Sequence, residues 1–260
     1  MSSLKVNSEY LPTRPALVEA IEVAWQRLAS AGTWWSGIER LAIVEQARAA
    51  ADCSLCRQRK EALSPYAVNG EHAAVSHLCH DAVEAIHRLS TDASRCTERW
   101  VNQITAGDLS VEQYVEIVSI VATVSGLDTL DLALGRNPGR GHVNDKGNGQ
   151  PYRKLPTPID GEPTRHRPAG AIKDLAWVPT LSPQTVGPDD PNPFPLHGSI
   201  NIHRAMSLVP QEVINFFDLD VELYLKDHEI RDFDHEFREI SHAQIELIAG
   251  RASAINGCYY

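Results

Sequence analysis

The chain has 260 residues, a formal net charge of −10 and a pI near 5.5, which argue against a nucleic-acid partner or an anionic membrane surface. Its 43% hydrophobic and 22% charged residues are ordinary for a globular protein with a sizeable core, and no apolar run approaches the ~20 residues of a bilayer span. The opening stretch, "MSSLKVNSEYLPTRP", lacks the apolar centre of a signal peptide, so the expectation is a cytoplasmic protein with no membrane and no nucleic-acid partner.

Three parts separate along the chain. Residues 15–135 are nearly free of proline and carry long helical patterns; residues 136–198 hold twelve of the sixteen prolines; residues 199–260 turn helical again. No convincing β-alternation appears, so the expected class is all-α. Trp34 and Trp35 precede a capping box that Ser36 opens and Glu39 closes, and a helix is expected from there to Cys53. The stretch "HAAVSHLCHDAVEAIHRLS" reads as helical throughout, with Val75, Leu78, Ala82, Ala85, Ile86 and Leu89 on one face. A shorter helix follows in "RCTERWVNQITAG". Ser110 and Gln113 then form a second capping box, and Val111, Val115, Val118, Val121 and Val124 recur at helical spacing until Gly135. The middle part, rich in proline and glycine, predicts neither helix nor regular sheet. Near the end, Ser241 and Gln244 form a third capping box, and a helix is expected from there to Cys258.

The first and third caps share a register. Each is followed seventeen residues later by a cysteine, and Ile43, Ala47 and Ala49 match Ile248, Ala252 and Ala254. This reads as an internal repeat.

Five cysteines in a chain expected in a reducing compartment do not form a disulfide framework. Cys53 and Cys56 are spaced C-x-x-C, which means a working dithiol or half of a metal site. With the second cysteine in the first turn of a helix, free backbone N–H groups and the helix dipole favour a thiolate. Arg57, Arg59 and Lys60 add cations within the next turn. Such a thiolate attacks a peroxide oxygen or a disulfide sulfur, and its neighbour resolves the product. The same pair completed by Cys79 with His77 or His80 would be a zinc site, and two buried structural thiols are a third use.

At this point the residues resemble a family. The runs "ERLAIVEQARAAADCSLC", "LSVEQYVEIVSIVATVSGLDTLDLALG" and "QIELIAGRASAINGCYY" are similar to the AhpD-like alkylhydroperoxidase and carboxymuconolactone decarboxylase superfamily. The resemblance implies an AhpD-like helical domain over 15–135, a Pro/Gly-rich connection over 136–198 and a second, incomplete half over 199–260. It also implies a homo-oligomer and a thiol-dependent peroxidase or disulfide oxidoreductase. The partners would be a hydroperoxide or disulfide substrate and a protein or small-thiol reductant, with no metal and no separate cofactor. By analogy Cys56 is the attacking sulfur and Cys53 the resolving one. The family's redox members place a glutamate twelve residues before the first cysteine and a histidine four after the second. Here those positions hold Leu41 and Lys60. Glu45, one turn past Leu41, is the candidate substitute, and one of His72, His77, His80 and His87 is the candidate for the absent histidine. In the second copy Glu246 stands at the relay position before Cys258, and "CYY" matches half of a C-x-x-U motif. The expectation is a selenocysteine directly after Tyr260. A non-redox enzyme of the decarboxylase branch and a binding scaffold remain the alternatives on this fold.

Other features carry less. His228, Asp232 and His235 share a helical face that suits a metal or, more ordinarily, a solvated surface. Cys79 and Cys96 read as helix thiols. Arg165, His166 and Arg167 offer exposed charge in the connecting segment.

Overall fold

The computed structural model describes residues 3–6, 9–134, 153–195 and 201–256. The described chain is helical, with α1 Pro15–Ala29, α2 Gly37–Ala49, α3 Ser54–Glu61, α4 His80–Asp92, α5 Glu98–Ile104, α6 Val111–Ala133, α7 Asn201–Ala205, α8 Pro210–Leu223, α9 Asp227–Ile230 and α10 His242–Asn256. No described helix is long and apolar enough to cross a membrane. One departure from the all-α expectation is a short antiparallel pair, β1 Ser3–Val6 with β2 Glu9–Pro12, in which Ser3 faces Pro12 and Val6 faces Glu9. Four-residue strands are too short to leave a readable alternation.

The helix starts follow the local chemistry. Ser36 and Ser110 accept from the N–H groups of Glu39 and Gln113, whose side chains return the bond to the cap backbone. Ser241 and Gln244 do the same at α10, at 2.9 and 3.3 Å. Pro15 and Pro210 occupy first helical turns, where a missing N–H costs nothing. In α6, Val115, Val121 and Val124 are buried with Ile117, Ile120 and Leu127, and Val111 and Val118 pack at the margin.

The core lies between these helices. α6 carries α2 and α4 on its flanks, and α1 packs along α8. Ile43, Ile86, Ile117 and Ile120 are fully buried there, and Val209, Val213 and Leu219 from the last third of the chain join the same cluster. A buried ion network ties the elements together. Arg40 of α2 pairs with Glu116 of α6 and lies 3.0 Å from Glu212 of α8, all at 2% exposure or less. Gly32 lies against this pair, and a Cβ there would displace the ends of the Glu116 and Arg40 side chains.

Residues 153–195 form no helix or strand, as their composition predicts, apart from one bridge between Ile172 and Thr180. They nevertheless lie against the helices. The N–H groups of Ile159 and Arg165 donate to Ala29 O and Thr33 O at 2.8 Å, and Trp25 Nε1 donates to Lys154 O at 3.0 Å. Arg167 is paired with Glu112, and His166 with Asp190 at 2.6 Å. Both side chains are therefore taken by the chain's own carboxylates.

Three sequence expectations change. The Ser36 helix stops at Ala49, and a tight turn over Ala50–Asp52 separates it from Cys53. Residues 72–79 are not helical; α4 begins only at His80. The register shared by α2 and α10 does not extend to burial, since Ile43 is 0% exposed and Ile248 is 60% exposed.

Candidate functional site

Cys53 caps the N-terminus of α3 and Cys56 lies in its first turn, so both sulfurs meet at one helix end. Both are buried, with Leu55 beside them, and neither is in a disulfide. Facing them is His72, from the non-helical stretch before α4, and His87, from the buried side of α4. His72 Nδ1 lies 3.4 Å from Cys53 Sγ and 3.5 Å from Cys56 Sγ. His87 Nδ1 lies 3.2 Å from Cys56 Sγ. The two imidazole rings are 4.2 Å apart.

Behind His72 stands Glu84 of α4. Its carboxylate accepts from His72 Nε2 at 2.9 Å, from Arg59 Nη1 at 2.8 Å and from Trp100 Nε1 at 3.3 Å. Arg59 is fixed in turn by Val68 O at 3.2 Å. The result is a chain of alternating charge, from carboxylate to imidazole to sulfur.

The ionisation follows from this order. Burial opposes charge on Glu84, but His72 and Arg59 outweigh it and hold the carboxyl at about 2. Burial likewise disfavours the His72 cation, yet hydrogen bonds to Cys56, Glu84 and Cys53 raise it to about 10. Cys53 is also disfavoured by burial; the bond from His72, helped by the backbone N–H groups of Cys56 and Ala73, brings it down to about 7. His87 goes the other way, pushed down to about 4 by burial and by the positive His72. The cationic run of α3 thus acts indirectly. Arg59 serves Glu84, and no basic residue of α3 is needed to account for the Cys53 thiolate.

Gln46, a fully buried residue of α2, decides how His87 is protonated. Its Oε1 accepts from Val75 N–H at 2.9 Å and from Ser76 Oγ at 3.1 Å, and its Nε2 donates to Ala73 O at 2.7 Å. These partners exclude the flipped amide. Gln46 Nε2 also lies 2.6 Å from His87 Nε2, which must therefore accept. The proton of neutral His87 is then on Nδ1, directed at Cys56 Sγ. Cys56 receives two N–H groups and Cys53 shares one of them.

Cys53, Cys56, His72 and His87 each offer one ligand atom within 4.8 Å of the others, a spacing and donor set suited to a tetrahedral zinc-class ion. His72, once its Nδ1 proton is lost, has the tautomer that leaves Nδ1 free to ligate, with its Nε2 proton on Glu84. His87 does not, because Gln46 places the proton on the nitrogen that faces the sulfurs.

A cavity of about 390 Å³ opens in front of Cys56. Its walls are Ala47, Ala51, Val124 and Leu132, the hydroxyls of Ser90 and Thr129, and the charged Arg48, Arg57, Lys60 and Asp128.

Of the residues singled out in the sequence, Cys53 and Cys56 stand together, and Lys60 lines the Cys56 cavity rather than touching a sulfur. Glu45 is exposed and lines a different cavity with Val75, His77 and Cys79; its neighbour Gln46 is the α2 residue that reaches the site. His77 and His80 are exposed, and Cys79 caps α4, so the zinc set built on them does not form. Glu246 accepts from Tyr224 Oη at 2.5 Å, and Cys258 lies outside the described residues. His235 pairs with Asp232 at 2.9 Å on the surface. Sequence reasoning missed Gln46 and Glu84. The only available signal was indirect, a polar residue inside each apolar face.

Neither a protein-family model, nor a characterised protein, nor a solved structure matches this chain. The functional reading therefore rests on the residues themselves.

Proposed function

We propose that the chain is a thiol-dependent oxidoreductase of the alkylhydroperoxidase type, which reduces a hydroperoxide in the cytoplasm through Cys56 and Cys53. The observation that carries this is His72 Nδ1, placed within 3.5 Å of both sulfurs while Glu84 holds the opposite nitrogen. One imidazole can then pass protons to either sulfur in turn.

With the proton of Cys56 passed through His72 to the Cys53 thiolate, the Cys56 sulfur attacks the terminal oxygen of the hydroperoxide. An S–O bond forms, the O–O bond breaks, and the departing alkoxide takes the His72 proton, giving a sulfenic acid and an alcohol. Cys53 then returns a proton to His72 and attacks the Cys56 sulfur. The S–S bond forms as hydroxide leaves, protonated by His72 to water. The dithiol has lost two electrons and the peroxide has gained them. An external thiol or dithiol restores the reduced pair by exchange. Cys56 takes the first step because it faces the cavity; Cys53, whose thiol is brought down to about 7, suits the second.

Mild peroxide treatment followed by alkylation and mass mapping tests this. A Cys53–Cys56 disulfide is expected, and two thiols that stay free after peroxide exclude the reading. A non-redox enzyme on the same fold would keep its activity when both cysteines are serine.

The four-atom convergence supports a second reading, a zinc-class centre. Metal analysis of the purified protein separates the two. One ion per chain that blocks alkylation of both thiols favours the metal, and metal-free, readily alkylated protein favours the dithiol.

A further inference from the structure

We infer that the cavity in front of Cys56 takes an anionic oxidant, a small hydroperoxide bearing a carboxylate; this rests on the peroxidase reading and names its substrate class. Three cations and one carboxylate line the cavity, in a chain whose overall charge is −10. The carboxylate, Asp128, is already taken, accepting from Arg48 Nη2 at 2.7 Å and from its Nε at 3.0 Å. Arg57 and Lys60 have no acidic partner among the described residues. They stand three residues apart on α3, so they lie on one face of that helix, and both line the cavity that Cys56 faces.

The rest of the lining sets the shape of the ligand. Ala47, Ala50, Ala51, Val124 and Leu132 supply apolar wall to the cavity, which suits a short alkyl body. A cavity of about 390 Å³ is at the lower end for small organic ligands. A peroxide group at Cys56, an alkyl body on the apolar wall and a carboxylate at Arg57 and Lys60 match the three kinds of lining. Both cations are exposed, so their pull on the ligand is screened by water and salt and is worth about tenfold in rate.

The test uses the full-length reduced protein and two oxidants that differ in one group, 4-hydroperoxy-4-methylpentanoate and its methyl ester. Hydrogen peroxide is the third probe, and disulfide formation is followed by stopped-flow fluorescence and alkylation. The carboxylate is expected to oxidise the dithiol about tenfold faster than the ester, with the ratio falling as salt rises. In an Arg57→Gln/Lys60→Gln variant that unfolds at the wild-type temperature, the acid-to-ester ratio should collapse towards one. Equal rates for acid and ester in the wild type, with hydrogen peroxide active, overturn the anionic substrate and leave the peroxidase intact. Failure of all three oxidants to form the disulfide overturns the peroxidase reading, and the substrate class with it.

Discussion

Helix α2 takes part in two buried polar clusters with different construction. Near its start, Arg40 serves two carboxylates, Glu116 and Glu212, all sealed at 2% exposure or less. Further along, Gln46 touches the Cys53–Cys56–His72–His87 group. The first cluster has more negative than positive charge. Burial and the neighbouring Glu212 push Glu116 up to about 7 against the pull of Arg40, so near neutrality the group keeps a proton it has no nucleophile to give. The second alternates charge from Glu84 through His72 to sulfur, and it ends on an atom facing a cavity. Burial and charge are common to both. A sulfur that faces a cavity at the end of a hydrogen-bonded chain belongs to one alone.

Substitutions should separate the two clusters cleanly. The largest effect is expected in the sulfur cluster. Cys56→Ser should abolish peroxide turnover, and His72→Asn should slow it roughly 10²–10⁴-fold, the range for losing a positioned acid–base group. A His72→Asn rate near wild type would remove the proton path from the account. Next in size, Arg40→Met should lower the unfolding free energy by about 3–5 kcal/mol, because two carboxylates lose their buried partner. Urea denaturation measures this, and an unchanged midpoint would show that the network is not structural.

A smaller change is expected from Glu84→Gln. Without that carboxylate the His72 cation is weaker, and the pH midpoint for alkylating Cys53 should rise from about 7 towards the ~8.5 of a free thiol. The least change concerns pH and stability, where the clusters have opposite sign. Glu84 is held far below its ordinary 4.5, at about 2, so its contribution is present above 4.5 and fades as pH falls through 2. Glu116 is raised from 4.5 to about 7, so its contribution is present below 4.5 and fades as pH rises through 7. Between pH 5 and 8 the unfolding free energy of wild type should therefore drop relative to Glu116→Gln, and a parallel pair of curves would count against the raised carboxyl.

Much of the framework was legible because it is local. Three caps are written in adjacent residues, and the spacing of Val115, Val121 and Val124 encodes one face of α6. The dithiol was legible for the same reason. Its partners were not, because His72, Glu84 and Gln46 reach it from separate elements and no spacing encodes that meeting. The misplaced start of α4 has a specific cause. Residues 72–79 have a helical apolar pattern, but the Gln46 amide takes Ala73 O and Val75 N–H, the backbone groups a helix would have used. A tertiary bond overrides local preference there. The Arg40 network was invisible for a similar reason, since its three charges lie far apart in sequence.

That same amide has a consequence for hydrogen exchange. Val75 is 55% exposed and lies in a stretch without helical bonds, so its N–H would ordinarily exchange with solvent almost at once. Held on Gln46 Oε1 at 2.9 Å, it should instead be protected, with a rate set by opening of the loop that carries His72. One amide on the surface thus reports whether the buried sulfur–imidazole cluster is assembled, and Gln46→Leu should release its protection.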